Sequence, residues 1–343
     1  MRSVTALQRL IEEEATTRRL SVGCGQLDAS LQGGFPLQGI TEIAGEAGAG
    51  KTQFALSLSL QCCLPPAYGG LGGKAAYLCC GEGEFPFRRL AQIATSLSNR
   101  LGISSHEELL QNVQINQCHN SDDVLDALKK KLPTMCASDN VRLVVIDSIA
   151  GMVRNDYETK SVGDMSLRTV LLFKVAKELK WLADIYNVCV LVINQVTAKG
   201  FENSSSSSNN NDCSPALGLA WSHCVNTRIC LRRDTIDMRS LGPHNTVGQE
   251  VTYEDENYSS VTQHNNIDND INNNNGATAF VPYHSTNADS NFNNNNNNNN
   301  NNRNNISSSN KSLRTLVVEF SPYLPRTTCA YQITADGVIG IRM

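Results

Sequence analysis

One eight-residue segment restricts this chain more than any other. Within "ITEIAGEAGAGKTQFALSLSL", residues Gly45 to Thr52 follow the pattern G-x-x-x-x-G-K-[ST]. A β-branched, apolar run precedes it and suits a buried strand, and "TQFALSLSL" after it can run as a helix. Across Gly45, Glu46, Ala47, Gly48, Ala49 and Gly50, glycine and alanine keep the loop nearly free of bulk. Successive backbone N–H groups can then turn inward around phosphate oxygens. Lys51 would face the outer phosphates, and the Thr52 hydroxyl could ligate Mg²⁺. The helix that follows would add its N-terminal N–H groups and dipole. Strand, loop and helix in that order predict a phosphate-binding α/β fold.

The remaining pattern extends this prediction. "KAAYLCC", "VQINQC", "RLVVIDSIA" and "VCVLVINQV" read as buried strands. Between them, "FRRLAQIATSL", "SDDVLDALKKKL" and "LRTVLLFKVAKELKWLADIY" read as helices, with Ser121 and the two aspartates after it as the start of the second. Alternating strands and helices argue for a mostly parallel central sheet flanked by helices. "HCVNTRICLRR", "RTLVVEFSPYLP" and "CAYQITADGVIGI" are late strands expected to pair antiparallel, with "ADG" as a turn. Residues 1–20 are expected as an N-terminal helix or tail, and residues 21–343 as one domain. That domain carries low-complexity Ser/Asn-rich inserts at about 201–213 and 262–312. Such runs cannot bury enough apolar area to offset ordering entropy, so they are expected to be disordered.

Several classes are excluded. No apolar run is long enough to cross a bilayer, and the charged N-terminus lacks the apolar stretch of a signal peptide. Twelve cysteines without a secretory signal predict reduced thiols. The adjacent pairs Cys62–Cys63 and Cys79–Cys80 lack zinc-site spacing and read as small buried side chains. The formal net charge of −4 gives no support for nucleic-acid binding, so any DNA contact must come from a local patch.

The chemistry-bearing residues cluster at strand ends. In "LVVIDS", Asp147 follows four apolar residues, where a carboxylate can hold the Mg²⁺ that bridges two phosphates. Glu82 and Glu84 in "CCGEGEFPFRRL" are both placed to orient or deprotonate a water, or to be solvated residues of an acidic turn. Asn194 and Gln195 end "VLVINQ", at the sheet edge where open α/β folds bind ligands, and an amide there could sense a terminal phosphate.

In order, "GEAGAGKTQ", "YLCCGEGEF", "LVVIDSIAGMVR", "VLVINQVT", "PALGLAWSHCVNTRICLRR" and "FSPYLPRTTCAYQITADGVIG" resemble the RecA-like strand-exchange recombinase family in its eukaryotic form. "GCGQLDASLQGG", "FPFRRLAQ", "INQVT" and "SPYLPRTTCAYQIT" are most similar to a repair paralogue within that family. The resemblance implies a RecA-like P-loop ATPase core that binds ATP and Mg²⁺ near a subunit interface. It further implies a part in homologous recombination and double-strand-break repair, in the nucleus and also in the cytoplasm. Glu82 falls on the family's catalytic glutamate, although one inserted residue keeps Glu84 open, and Gln195 falls on its γ-phosphate-sensing glutamine. Residues 154–168 and 197–214 fall on its two DNA-binding loops. Two departures matter. Only about 40 residues precede the loop, so the helical N-terminal domain of strand-exchanging members is missing, and "SSSSSNNN" supplies no arginine or aromatic stacking platform. Both favour an accessory ATPase of low turnover that binds single-stranded or branched DNA with another recombinase paralogue, or with the strand-exchange recombinase itself. A competent recombinase and a non-hydrolysing ATP-dependent scaffold are the alternatives.

Overall fold

The computed structural model describes residues 4–8, 18–81, 83–103, 105–156, 162–196, 216–233 and 313–341. The chain divides into two units, residues 1–236 with 310–343, and residues 237–309; the second lies wholly outside the described residues. So do both expected Ser/Asn-rich inserts.

Arg19–Leu20 (β1) pairs antiparallel with Phe35–Pro36 (β2), with the short helix Gly25–Ser30 (α1) between them. Arg19 and Leu20 close the segment expected as a helix or tail, yet they are a strand. Next come Thr41–Gly45 (β3), Lys51–Cys63 (α2), Lys74–Cys79 (β4), Phe87–Leu101 (α3), His106–Gln111 (α4) and Val113–Gln117 (β5). Ser121–Asp126 (α5) and Leu132–Ser138 (α6) lead to Val141–Asp147 (β6). Ile149–Asp156 (α7), Val162–Tyr186 (α8) and Cys189–Gln195 (β7) follow. Gly218–Ser222 (α9), Thr227–Arg233 (β8), Arg314–Phe320 (β9), Thr328–Thr334 (β10) and Gly337–Ile341 (β11) complete the described elements. Asn120, not Ser121, caps α5, because its side chain accepts from Asp123 N at 2.9 Å. An amide one residue earlier reaches the orphan N–H that Ser121, already inside the helix, cannot.

Nine strands form one sheet in the order β11-β10-β9-β8-β3-β7-β6-β4-β5. From β8 through β5 all neighbours are parallel, and β8, β9, β10 and β11 pair antiparallel. Strand alternation feeds two apolar layers. Tyr77, Leu143, Val145, Leu191 and Ile193 face one core with Phe54, Leu56 and Leu58 of α2. Leu78, Val144, Ile146, Val190 and Val192 face the other with Leu172, Val175 and Leu179 of α8. Both faces are covered, so the strands read as continuous apolar runs rather than alternating ones. Helix α3 shows the complementary 3.6 period, burying Leu90, Ile93, Ala94 and Leu97 while its other face stays polar. Ten of the described cysteines are free, but Cys230 is disulfide-bonded, which departs from the expectation of reduced thiols throughout.

Candidate nucleotide site

Gly45, Asp147 and Gln195 end β3, β6 and β7, which lie side by side as β3-β7-β6. Their carboxyl ends therefore form one edge, the place where parallel sheets bind ligands. The loop leaves this edge and α2 begins at Lys51. Gly48 and Gly50 take φ of +76° and +106°, a region closed to most L-residues, and a Cβ on Gly50 would meet Ile333 Cδ1 at 2.7 Å. Glycine at these two positions is thus a steric requirement, and the alternating backbone turns N–H groups into a concave cradle.

Lys51 Nζ donates to the carbonyls of Gly45 and Glu46, each at 2.9 Å. Burial lowers its pKa, while Asp147 and Glu46 oppose that shift. The ammonium is desolvated and held across the mouth of the loop, where phosphate oxygens would be better acceptors than carbonyls. Thr52 Oγ1 donates to Asp147 Oδ2 at 2.9 Å, across 95 residues of sequence. Tyr77 OH donates to the same oxygen at 2.6 Å. Burial first, and then the adjacent carboxylate, push the Tyr77 phenol well above its ordinary pKa, so it stays a proton donor to Asp147. A hydroxyl and a carboxylate this close suit Mg²⁺, which takes hard oxygen donors and keeps several waters.

An open cleft of about 820 Å³ lies over the loop, lined by Gly48, Gly50, Lys51, Thr52, Arg89 and Arg314 and by the β10–β11 turn. That turn is tied down by Arg89, which donates to Gln53 Oε1 at 2.7 Å and to the carbonyls of Thr334 and Ala335 at 2.5 and 3.1 Å. Behind the loop, Tyr331 OH donates to Ala49 O at 2.5 Å and its ring meets Phe54 edge-on at 5.2 Å. On the opposite flank, Arg233 N donates to Glu46 Oε1 at 3.0 Å and Arg314 Nε to Gly48 O at 3.4 Å.

The other expected residues fall as follows. Gln195 stands in register with Gly45, on the strand beside the loop. Asn194 points the other way: it is fully buried and donates from Nδ2 to Glu42 Oε1 at 2.7 Å. The alternation of strand side chains sends adjacent residues to opposite faces, so only one of the two amides can serve this edge. Glu82 lies outside the described residues, and Glu84 is exposed beside a separate cleft lined by Phe85, Phe87, Ile115 and Gln117. Of the cations placed in the two expected DNA loops, Lys160 and Lys199 lie outside the described residues. Arg168 donates to Ala216 O at 3.0 Å, a bond within the fold.

Sequence reasoning missed Tyr77, Arg89, Arg314 and the turn at 332–335. It also missed Glu42, for which a signal existed: a lone carboxylate in a strand buried on both faces requires partners.

A family model described as Rad51 matches residues 14–247. "DNA repair protein XRCC3" of Bos taurus is 38% identical over 329 residues, covering 94% of this chain and 75% of that protein. "DNA repair protein XRCC3 homolog" of Arabidopsis thaliana is 28% identical over 358 residues, covering 98% and 97%. "DNA repair and recombination protein RadA" of Aeropyrum pernix is 36% identical over 187 residues, covering 54% and 56%.

Proposed function

The chain belongs to the Rad51 family, and on that premise we propose that it is an ATP-binding recombinase paralogue acting in homologous recombination. Its work is done on single-stranded or branched DNA together with another paralogue, in the nucleus. Likeness to proteins named for DNA repair and recombination supports the process. The observation that carries the nucleotide reading is the Thr52–Asp147 bond, which joins two motifs on different strands at the mouth of the phosphate cradle.

The residues would divide the task as follows. The cradle N–H groups of the loop hold the phosphates, and Lys51 exchanges its two carbonyl partners for outer phosphate oxygens. Thr52 and Asp147 hold Mg²⁺, which when bound draws the charge of two phosphates toward one centre. Tyr77 keeps Asp147 oriented. Arg89 and Arg314 line the walls of the cleft, and Gln195 lies beside Gly45, at the correct edge to respond to the terminal phosphate. Glu82 is assigned to orienting the attacking water, with slow turnover. Glu84 serves another cleft and is the poorer candidate for this step.

Single-turnover ATP hydrolysis by the full chain, with and without single-stranded DNA and a paralogue partner, tests this reading. Slow hydrolysis that the partner and DNA accelerate is expected. No nucleotide binding under any of these conditions would reject it.

A further inference from the structure

Beneath the nucleotide edge lies a buried polar cluster that the proposed chemistry does not use. Glu42, fully buried, sits on β3 just before the loop. Its Oε1 accepts from Asn194 Nδ2 at 2.7 Å and from Trp221 Nε1 at 2.9 Å, and its Oε2 accepts from Arg228 Nε at 2.5 Å. Arg228 also donates from Nη2 to Ser222 Oγ at 3.0 Å and lies 5.0 Å from the Phe320 ring centre. Asn194, Trp221 and Arg228 are all buried.

The sequence positions of these partners matter more than their number. Asn194 immediately precedes Gln195, and Trp221 lies in α9. The one carboxylate therefore grips the chain on both sides of the segment 197–215, and Ala216 N closes the base by donating to Gln195 O at 2.8 Å. Glu42 itself belongs to the strand whose last residue, Gly45, gives its carbonyl to Lys51. A phosphate that draws Lys51 away from the carbonyls of Gly45 and Glu46 changes what holds the end of β3. Displacement there reaches Glu42 through a strand too short to absorb it. The cluster also has one bond unmade: Asn194 Oδ1 is buried without a donor. Buried networks are either satisfied or poised for another arrangement, and this one has a free acceptor available for a second state.

We propose that Glu42 is a positioning residue that links nucleotide occupancy of the loop to the placement of both ends of the 197–215 segment. The proposal rests on the nucleotide-binding reading above. It gives that reading a route to the part of the chain aligned with DNA contact, separate from Gln195.

The chain contains two tryptophans, Trp181 and Trp221. Trp181 is 41% exposed on α8, away from the cluster, so Trp181→Phe leaves Trp221 as the sole reporter. In full-length W181F protein, ATPγS with Mg²⁺ should bind and shift Trp221 emission. In W181F/E42Q, nucleotide affinity should stay within about threefold, under 1 kcal/mol, while the emission response is lost. W181F/N194A keeps the Glu42–Arg228 pair and the Trp221 bond, and it covers failure of E42Q to fold; its response should fall by at least about half. A purely structural Glu42 would lower the melting temperature and leave the response of the folded variants intact, which overturns the proposal. So does bound nucleotide that leaves Trp221 silent in W181F. Absence of nucleotide binding by both W181F and the unaltered chain would instead remove the reading on which the proposal stands, and the proposal with it.

Discussion

Lys51 and Asp147 carry the sharpest expectations at the scale of single residues. Lys51 is a desolvated cation whose two partners are backbone carbonyls of its own loop. Lys51→Ala should weaken ATP binding by at least about tenfold, or 1.4 kcal/mol, measured by displacement of a fluorescent analogue. Lys51→Arg is not a neutral replacement, because a planar fork does not fill the place of a point ammonium. Asp147 receives two hydroxyl donors on one oxygen. Asp147→Asn preserves shape and one carbonyl oxygen but loses the charge that Mg²⁺ requires. Titrations should show the Mg²⁺ enhancement of nucleotide affinity reduced about tenfold or more, with affinity in EDTA unchanged. Unfolding of the variant with Mg²⁺ dependence retained would make Asp147 a structural residue.

The element that most shapes the site is the β10–β11 hairpin. Its turn lines the cleft, and Tyr331 supports the loop from behind through Ala49 O. Tyr331→Phe keeps the edge contact with Phe54 but leaves a buried carbonyl without its donor. That should cost about 1–3 kcal/mol of stability in urea denaturation. Nucleotide affinity should also fall, since the loop loses its backing; full affinity in a destabilised variant would separate the hairpin from the site. The hairpin itself was legible from "CAYQITADGVIGI" by its alternation and turn residues, and the phosphate loop from its glycines. What could not be read was that the two meet. Ala49 and Tyr331 are 282 residues apart, and their contact depends on the antiparallel run β8-β9-β10-β11 curling the sheet's far edge back over α2.

For the whole molecule, charge sets the expectation. A net charge of −4 and few clustered cations predict weak binding of single-stranded DNA by the isolated chain, with a shallow dependence on salt. A complex with a partner paralogue should bind more tightly, and Arg154→Ala and Lys199→Ala should lower both its affinity and its salt slope. Tight binding and filament growth by the isolated chain would restore the recombinase alternative. Removal of residues 265–310 should leave melting temperature and ATP affinity nearly unchanged, because loop length enters closure entropy only logarithmically. A large fall in either would show that the tract belongs to the folded body.

The sequence alone determined the loop, the Walker-type aspartate, the parallel order of strands and helices, and the family. Each of these depends on neighbours along the chain: residue spacing, a strand period of two, glycine where φ must be positive. Tertiary structure decided which strand-end groups share one edge. It turned Gln195 toward the loop and Asn194 away from it, and it set Tyr77 on Asp147. Only the fold could show that Glu42 is a hub, since its partners lie 152, 179 and 186 residues away. No local pattern encodes pairings at such separations; they exist because a buried charge must find its donors wherever the closed sheet brings them.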